Sequence, residues 1–398
     1  MKREPSGARR EWSMRRFLRS CLVAGLIGTA TLSSCSDYYA QSVTGQLALL
    51  ASRTSIDDVV GDPRTPRAVR DKLALILALR RFASQALGLP HNGSYSTYVH
   101  VDRRYVAWNV FATPEFSLEP LNWCFPVAGC LSYHGYFSEG RARYSAAFLS
   151  NEGHDVYVGG VAAYSTLGWF EDPVTSAMLR WSDLGLAELM FHELAHQAVY
   201  APGDTAFNEA FATTVAFEGV RHWLKRGGRR KALEAFEAEQ RRKDEFATLV
   251  LATRRKLQRL YASNRNAFEK RADKARIFRE LKEAYTALRA TWGGYDGYDA
   301  WMSHGLNNAK LSSLVTYKEH VQALENLFDA VDGRFATFYG LARAIGRLDP
   351  WVRKACLAAL AQPGAGFSAS CHLRMTARHA AGEAVTDAPA PAGVRRTS

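Results

Sequence analysis

His192, Glu193 and His196 stand in the order H-E-L-A-H, inside a stretch that runs from Trp181 to Leu224. A spacing of four residues on a helix puts both imidazoles on one face, a turn apart. That is what two ligands need to reach one tetrahedral zinc ion. Glu193 follows the first imidazole directly. It is placed to hold a water at the ion and take its proton, the general-base role in metal-assisted hydrolysis. An amphipathic core helix with two hydrogen-bonded histidines would show the same pattern, because Leu184, Leu186, Leu189, Met190, Leu194, Ala198 and Val199 form an apolar face in any case.

Catalytic zinc sites typically take three protein ligands and leave a fourth position to water. The next segment offers the third. Pro202-Gly203 breaks the first helix, Asp204 or Thr205 can cap a second, and Glu209 lies a turn further in. Folded back, this helix–turn–helix brings Glu209 towards His192 and His196. Asp204 has two readings, a helix cap or a carboxylate that orients a ligand histidine. Asn208 is assigned no chemistry, and Glu218 lies off the ligand turn.

H-E-L-A-H followed by F-N-E-A-F-A resembles the gluzincin metallopeptidases, whose third ligand is a glutamate in an N-E-x-x-A context. The chain is more similar still to a family of predicted bacterial zinc aminopeptidase lipoproteins. It shares with that family Y-Y-A-Q-S-V-T-G-Q-L (Tyr38 to Leu47), A-T-P-E-F-S-L (Ala112 to Leu118), W-C-F-P-V-A-G-C (Trp123 to Cys130) and Y-V-G-G-V-A-A-Y-S-T-L-G-W-F (Tyr157 to Phe170). The resemblance implies Zn2+ held by His192, His196 and Glu209, Glu193 as base, and a peptide substrate trimmed from its amino end. It also implies that an edge strand pairs with the substrate backbone. Val161 to Ser165 corresponds to that strand, with Gly159 and Gly160 allowing close approach. Tyr164 is the candidate oxyanion donor, and a tyrosine packed in the sheet is its other reading. G-G-V-A-A-Y stands where an amine-binding G-x-M-E-N phrase would be expected. Glu171 and Asp172 are the substitutes at hand for holding a free ammonium. His134 and His154 read as structural or surface residues.

The 398 residues are 47% hydrophobic and 12% aromatic, ample for a large core or two packed lobes. The formal charge of +12 is uneven. Residues 221–292 hold 21 Lys/Arg against nine Asp/Glu. A basic stretch can bind nucleic acid or anionic lipid; no nucleic-acid motif accompanies this one, so it reads first as a solvated helix face with no nucleic-acid partner.

Arg9, Arg10, Arg15, Arg16 and Arg19 lead into a short apolar run from Cys21 to Thr31, too short to span a bilayer but suited to a signal peptide. Leu32-Ser33-Ser34-Cys35 resembles a lipobox, which makes residues 1–34 the removed leader and Cys35 the lipidated first residue. An acyl anchor holds a protein at a membrane without a spanning helix. The location expected is the bacterial cell envelope, facing the periplasm, and Ser36 after the cysteine leans to the outer membrane. Four cysteines remain, and an exported chain uses an even count for disulfides. Of the three connectivities, the local one is expected: Cys124 with Cys130, and Cys356 with Cys371.

Residue patterns predict helices over Tyr38–Ser52, Pro66–Leu87 and Ser138–Glu152, strands over Thr97–Val101 and Tyr105–Phe111, and a long loop from Pro114 to Pro126. A strand from Asp155 to Tyr164 is read as interrupted at Gly159-Gly160. Two long antiparallel helices follow from Arg229 to Thr291, hinged near Ser263-Asn264. Trp292 to Trp301 reads as an aromatic packing corner or a wall of the substrate site, and residues 307–361 are again helical in pattern. The expected fold is α+β and mainly helical: a metallopeptidase core over 36–226, a helical region over 227–372 packing on it, and a disordered tail over 373–398. The function expected is zinc-dependent peptide hydrolysis. The rival is a non-cleaving zinc-binding envelope protein that holds peptides as scaffold or chaperone, and such a module has no use for Glu193.

Overall fold

The computed structural model describes residues 49–125, 129–162, 171–303, 305–315, 320–362 and Cys371. The leader, Cys35, most of the expected Tyr38–Ser52 helix, Tyr164 and the tail 373–398 lie outside the described residues. The fold is α+β and mainly helical, with 61% of the described residues in helix, set against small sheets.

After β1 (Thr54–Ser55) and α1 (Ile56–Gly61) comes α2 (Arg67–Ala86). Leu73, Ile76, Leu79 and Ala83 recur on α2 every three or four residues and are buried, which makes this an amphipathic helix with one face in the core. Gly88, at φ +68°, turns the chain away where the sequence predicts a stop.

Next come β2 (Thr97–Val99), β3 (Ala107–Pro114), β4 (Trp123–Phe125), β5 (Gly129–Leu131), β6 (His134–Tyr136), α3 (Glu139–Asn151), β7 (His154–Val161) and β8 (Val174–Thr175). β3 lies between β6 and β7, antiparallel to both, and β7 forms the other edge of that sheet among the described residues. β2 lies between antiparallel β1 and parallel β8. Two expectations need correction. The segment read as a loop contains β4, whose register sets Cys124 opposite Cys130, and a disulfide joins the two. The glycines read as an interruption lie within β7, paired without a break to Asn109 and Trp108. Their role is space, because a Cβ at Gly160 would lie 2.2 Å from the Tyr105 ring.

The rest is helical: α4 (Asp183–His196), α5 (Thr205–Arg226), α6 (Arg230–Tyr261), α7 (Ala267–Thr291), α8 (Asp299–Ser303), α9 (Asn308–Val315), α10 (Val321–Asp329), α11 (Phe335–Gly346) and α12 (Pro350–Leu360). The main core joins α2, α4 and α5 to α10, α11 and α12, with Phe211 of α5 stacked on Phe338 of α11 at 5.5 Å. The last helices therefore cover the two helices that carry the candidate ligands. A disulfide from Cys356 to Cys371 ties the end of the described chain to α12.

The α6–α7 hairpin has its own core, in which Phe246, Val250, Leu257, Ile277 and Leu281 meet Leu118 and Leu311. Polar bonds fasten it to the β3–β7 sheet. Asp155 accepts from Lys274 Nζ (2.7 Å) and from the Asn308 backbone amide (2.8 Å), while Asn307 donates to the Val156 carbonyl (2.8 Å). The Trp292–Trp301 segment is a packing corner: Tyr298 stacks on Phe246 at 4.0 Å, and Trp301 meets the same ring edge-on.

One close approach holds the ligand helices together. A Cβ at Gly219 of α5 would come within 2.9 Å of both Leu87 and the Phe191 ring, and both side chains are fully buried. Overpacking of this kind costs about 1–3 kcal/mol. Gly219→Ala is therefore expected to lower the melting temperature by several degrees, as read by thermal denaturation. An unchanged transition would show that α4 and α5 have slack.

Candidate metal centre

α4 begins at Ser182, whose hydroxyl accepts from the Gly185 amide (3.1 Å), with Asp183 in the first turn, where the helix dipole favours negative charge. Fourteen residues of regular helix carry His192 and His196 on one face, with His196 in the last turn and His192 one turn earlier. α5 starts again at Asp204, whose carboxylate accepts from the Phe207 amide (2.9 Å). Gly203, at φ +76°, makes the turn between them.

The angle between the helices is held by side chains. Asn208 bonds to both backbone groups of Ala201: its Oδ1 accepts from the Ala201 amide (2.7 Å) and its Nδ2 donates to the Ala201 carbonyl (2.8 Å). Arg353, from α12, is 4% exposed and donates Nε to Asp204 Oδ2 at 2.6 Å. Its Nη1 donates to the carbonyls of Gly346 (2.6 Å) and Leu348 (3.1 Å). Asp204 is thus engaged as a cap and as the partner of Arg353.

This framework brings the three expected ligands together. His192 Nε2 lies 3.2 Å from His196 Nε2 and 3.2 Å from Glu209 Oε2, and His196 Nε2 lies 3.8 Å from Glu209 Oε1. Their ligand atoms all fall within 4.8 Å of one another. Ligand bonds of 2.0–2.1 Å at tetrahedral angles set neighbouring donor atoms roughly 3.3 Å apart, so the triangle is sized for an ion. Its polar groups are also unspent. Glu209 Oε2, which faces the triangle, has no hydrogen-bond partner, because its approach to His192 is close in distance without hydrogen-bond alignment. Buried polar atoms of this kind are costly unless something satisfies them.

Two of the three groups stand in the form that ligates, and His192 gives up its proton when an ion takes its place beside Glu209. Burial pushes the His196 imidazole down to about 4, with His192 beside it adding to the effect, so its ring is neutral at neutral pH. Burial also disfavours charge on His192, but the contact with Glu209 and the charges of Glu193, Glu209 and Glu188 outweigh it and raise its pKa. Glu209 resists the upward push of burial through His192 and is held below the ordinary carboxylate value, hence ionised. Glu193, half-buried beside His192, contributes its negative charge at the centre.

Two neighbours were not singled out from the sequence. Glu188, one turn before His192, accepts from Lys243 Nζ (2.8 and 3.0 Å) and Gln240 Nε2 (3.1 Å), which ties α6 to the ligand helix. Tyr200 is exposed, and its phenol is close enough for Glu209 to help raise its pKa, after burial. The i, i+4 spacing of Glu188 to His192 on one helix is the available signal for the first; Tyr200 lies past the helix end, and no spacing marks it. Asp172 is 1% exposed and Glu171 lies over Gly93, outside the ligand cluster. Glu218 pairs with Arg221. His134 bonds to Tyr136, and His154 opens β7, so both serve the sheet. Tyr164 lies outside the described residues, as does all of Val161–Ser165 beyond Ala162.

Chelator-stripped protein titrated calorimetrically with a divalent ion should bind one equivalent. His196→Ala and Glu209→Ala should each weaken binding by at least about 100-fold, beyond what loss of an outer partner costs. Asn208→Ala should destabilise by about 1–3 kcal/mol and loosen the ion as well, since it leaves the Ala201 amide and carbonyl unpaired. Full-strength ion binding by Glu209→Ala would remove that residue from the ligand set.

Among models of protein families, the one described as "Putative aminopeptidase" matches residues 37–357, which takes in both ligand helices, the hairpin and most of α12. No curated protein and no solved structure matches the chain. The match spans well over half of the sequence, and the chain belongs to this "Putative aminopeptidase" family.

Proposed function

We propose that the chain is a zinc-dependent aminopeptidase of the bacterial cell envelope, anchored through an acylated Cys35. The convergence of His192, His196 and Glu209 within 4.8 Å carries the proposal. Two imidazoles and one carboxylate suit zinc, a borderline ion that takes nitrogen and oxygen donors together. Bound there, zinc supplies a Lewis acid that polarises a scissile carbonyl and acidifies a water molecule.

The chain's own residues do the rest. Glu193 projects from the helix turn that carries His192 and takes the proton of the attacking water at a carboxylate oxygen. It then delivers that proton to the leaving amine, so it acts as base and afterwards as acid. Glu209 and the imidazoles are held rigidly by Asn208, Asp204 and Arg353, which keeps the reacting groups placed before substrate arrives. Among the described residues β7 is an edge of its sheet, and beyond Val156, whose carbonyl accepts from Asn307, that edge is suited to an extended peptide. Restriction to free amino ends is supported by the family's description.

Glu193→Gln should keep its ion and lose roughly 10²–10⁴ in kcat, the usual worth of a general acid–base group. Cleavage at the parent rate would eliminate this mechanism. Free and N-terminally blocked peptides, assayed with and without chelator, separate the alternatives. Chelator-sensitive cleavage of free peptides alone supports the aminopeptidase. Cleavage of blocked peptides too makes it an endopeptidase, and no cleavage of either leaves a peptide-holding module. Mass spectrometry of the mature amino terminus should find an acylated Cys35, and Cys35→Ala should release the protein from membranes.

A further inference from the structure

The turn between α6 and α7 carries a concentration of charge that peptide hydrolysis does not use. Residues 254–282 hold 11 Lys/Arg and three Asp/Glu, an excess of eight positive charges (11 − 3). Some of these cations are spent on the fold: Arg271 on Glu115 and Lys274 on Asp155. Arg255, Arg259, Arg279 and Lys282 are exposed, and none makes an ion pair with a carboxylate among the described residues. Arg255 and Arg259 stand four apart on α6, and Arg279 and Lys282 three apart on α7, spacings at which like charges repel.

Two further features sit at this turn. Phe268, in the first turn of α7, is 80% exposed, although the hairpin's own apolar core is close by. Between the helices lies an open cleft of about 350 Å³, where Lys256, Arg259, Arg265 and Arg276 face only Asp273 and Glu280. Asp273 is shared by Arg265 and Arg276, and Glu280 by Lys256 and Arg276, so the cleft keeps a net positive charge.

We propose that the α6–α7 hairpin docks its turn end on an anionic phospholipid bilayer, with Phe268 inserted at the headgroup–acyl boundary and the exposed cations along the two helices on or near headgroup phosphates. An apolar ring at the apex of a basic element matches a bilayer's apolar interior beneath a layer of phosphates. Nucleic-acid grooves instead line a basic track with several rings on which successive bases stack. Here Phe268 is the exposed ring at the turn, whereas Tyr261 and Phe116 are half-buried and packed on each other. A polybasic patch of this kind adds a second attachment to any lipid anchor and fixes how the molecule sits on the surface. The inference is independent of the metal centre and of Cys35.

The test is sedimentation of the full chain with vesicles of phosphatidylcholine alone or mixed with phosphatidylglycerol, at low and high salt. The parent should bind the mixed vesicles, and added salt should release it. Neutralising three exposed cations (R255Q/R259Q/R279Q) should weaken that binding about a hundredfold, at roughly fivefold per residue. F268S, with every charge kept, should weaken it several-fold. Both variants should keep the parent's circular dichroism and its peptidase rate on soluble peptides, since none of the four residues belongs to the metal centre. Equal binding of parent and triple variant to mixed vesicles would overturn the proposal. So would stronger capture by single-stranded DNA than by those vesicles, which would assign the patch to nucleic acid.

Discussion

The structure turns on the pair of hydrogen bonds by which Asn208 grips the backbone of Ala201. His192, His196 and Glu209 turn ring nitrogens and carboxylate oxygens towards one another, and the pairing of His192 with Glu209 only partly offsets the cost of burying them together. A flexible connection would relieve it by swinging α5 away from α4. The Asn208 clasp prevents this, because opening it would strand a buried amide and a buried carbonyl. Arg353 adds a second lock by holding the cap of α5 from the far end of the chain.

The C-terminal helices are part of the same argument. α10, α11 and α12 close the apolar faces of α4 and α5, and α12 supplies Arg353. The centre is therefore built on two helices and braced by elements more than a hundred residues later. The hairpin of α6 and α7 is braced differently, through its own core and through Asp155, Asn307 and Asn308 to the sheet. Lys243 and Gln240 reach from α6 to Glu188, so the hairpin also touches the ligand helix one turn before His192. The turn of the hairpin is held by Tyr261 on Phe116 and Asn308 and by Arg271 on Glu115, and it still leaves Phe268 exposed.

Much of this is legible in the residues because it is local. The i, i+4 spacing of His192 and His196 is a property of helix geometry, and Pro202-Gly203-Asp204 announces both the break and the next cap. The apolar spacing of α2 and the lack of Gly and Pro from Arg229 to Thr291 show their helices without knowledge of any partner. Gly159-Gly160 misled because a glycine pair reads as a breaker until the Tyr105 ring that needs the space is known. Pro114 to Pro126 misled because β4 is made by pairing with β5 around a disulfide, a contact that proline and aromatic content conceals.

The sequence by itself determined the ligand types, the helix faces that carry them and the charge of the hairpin, since each depends on neighbours within a turn or two. Only the tertiary structure decided that Glu209 meets both imidazoles, that Asn208 and Arg353 hold it there, and that Asp204 works as a cap bonded to Arg353. Those outcomes depend on where distant segments come to rest. That is set by burial of apolar faces over the whole chain, and no short spacing encodes it.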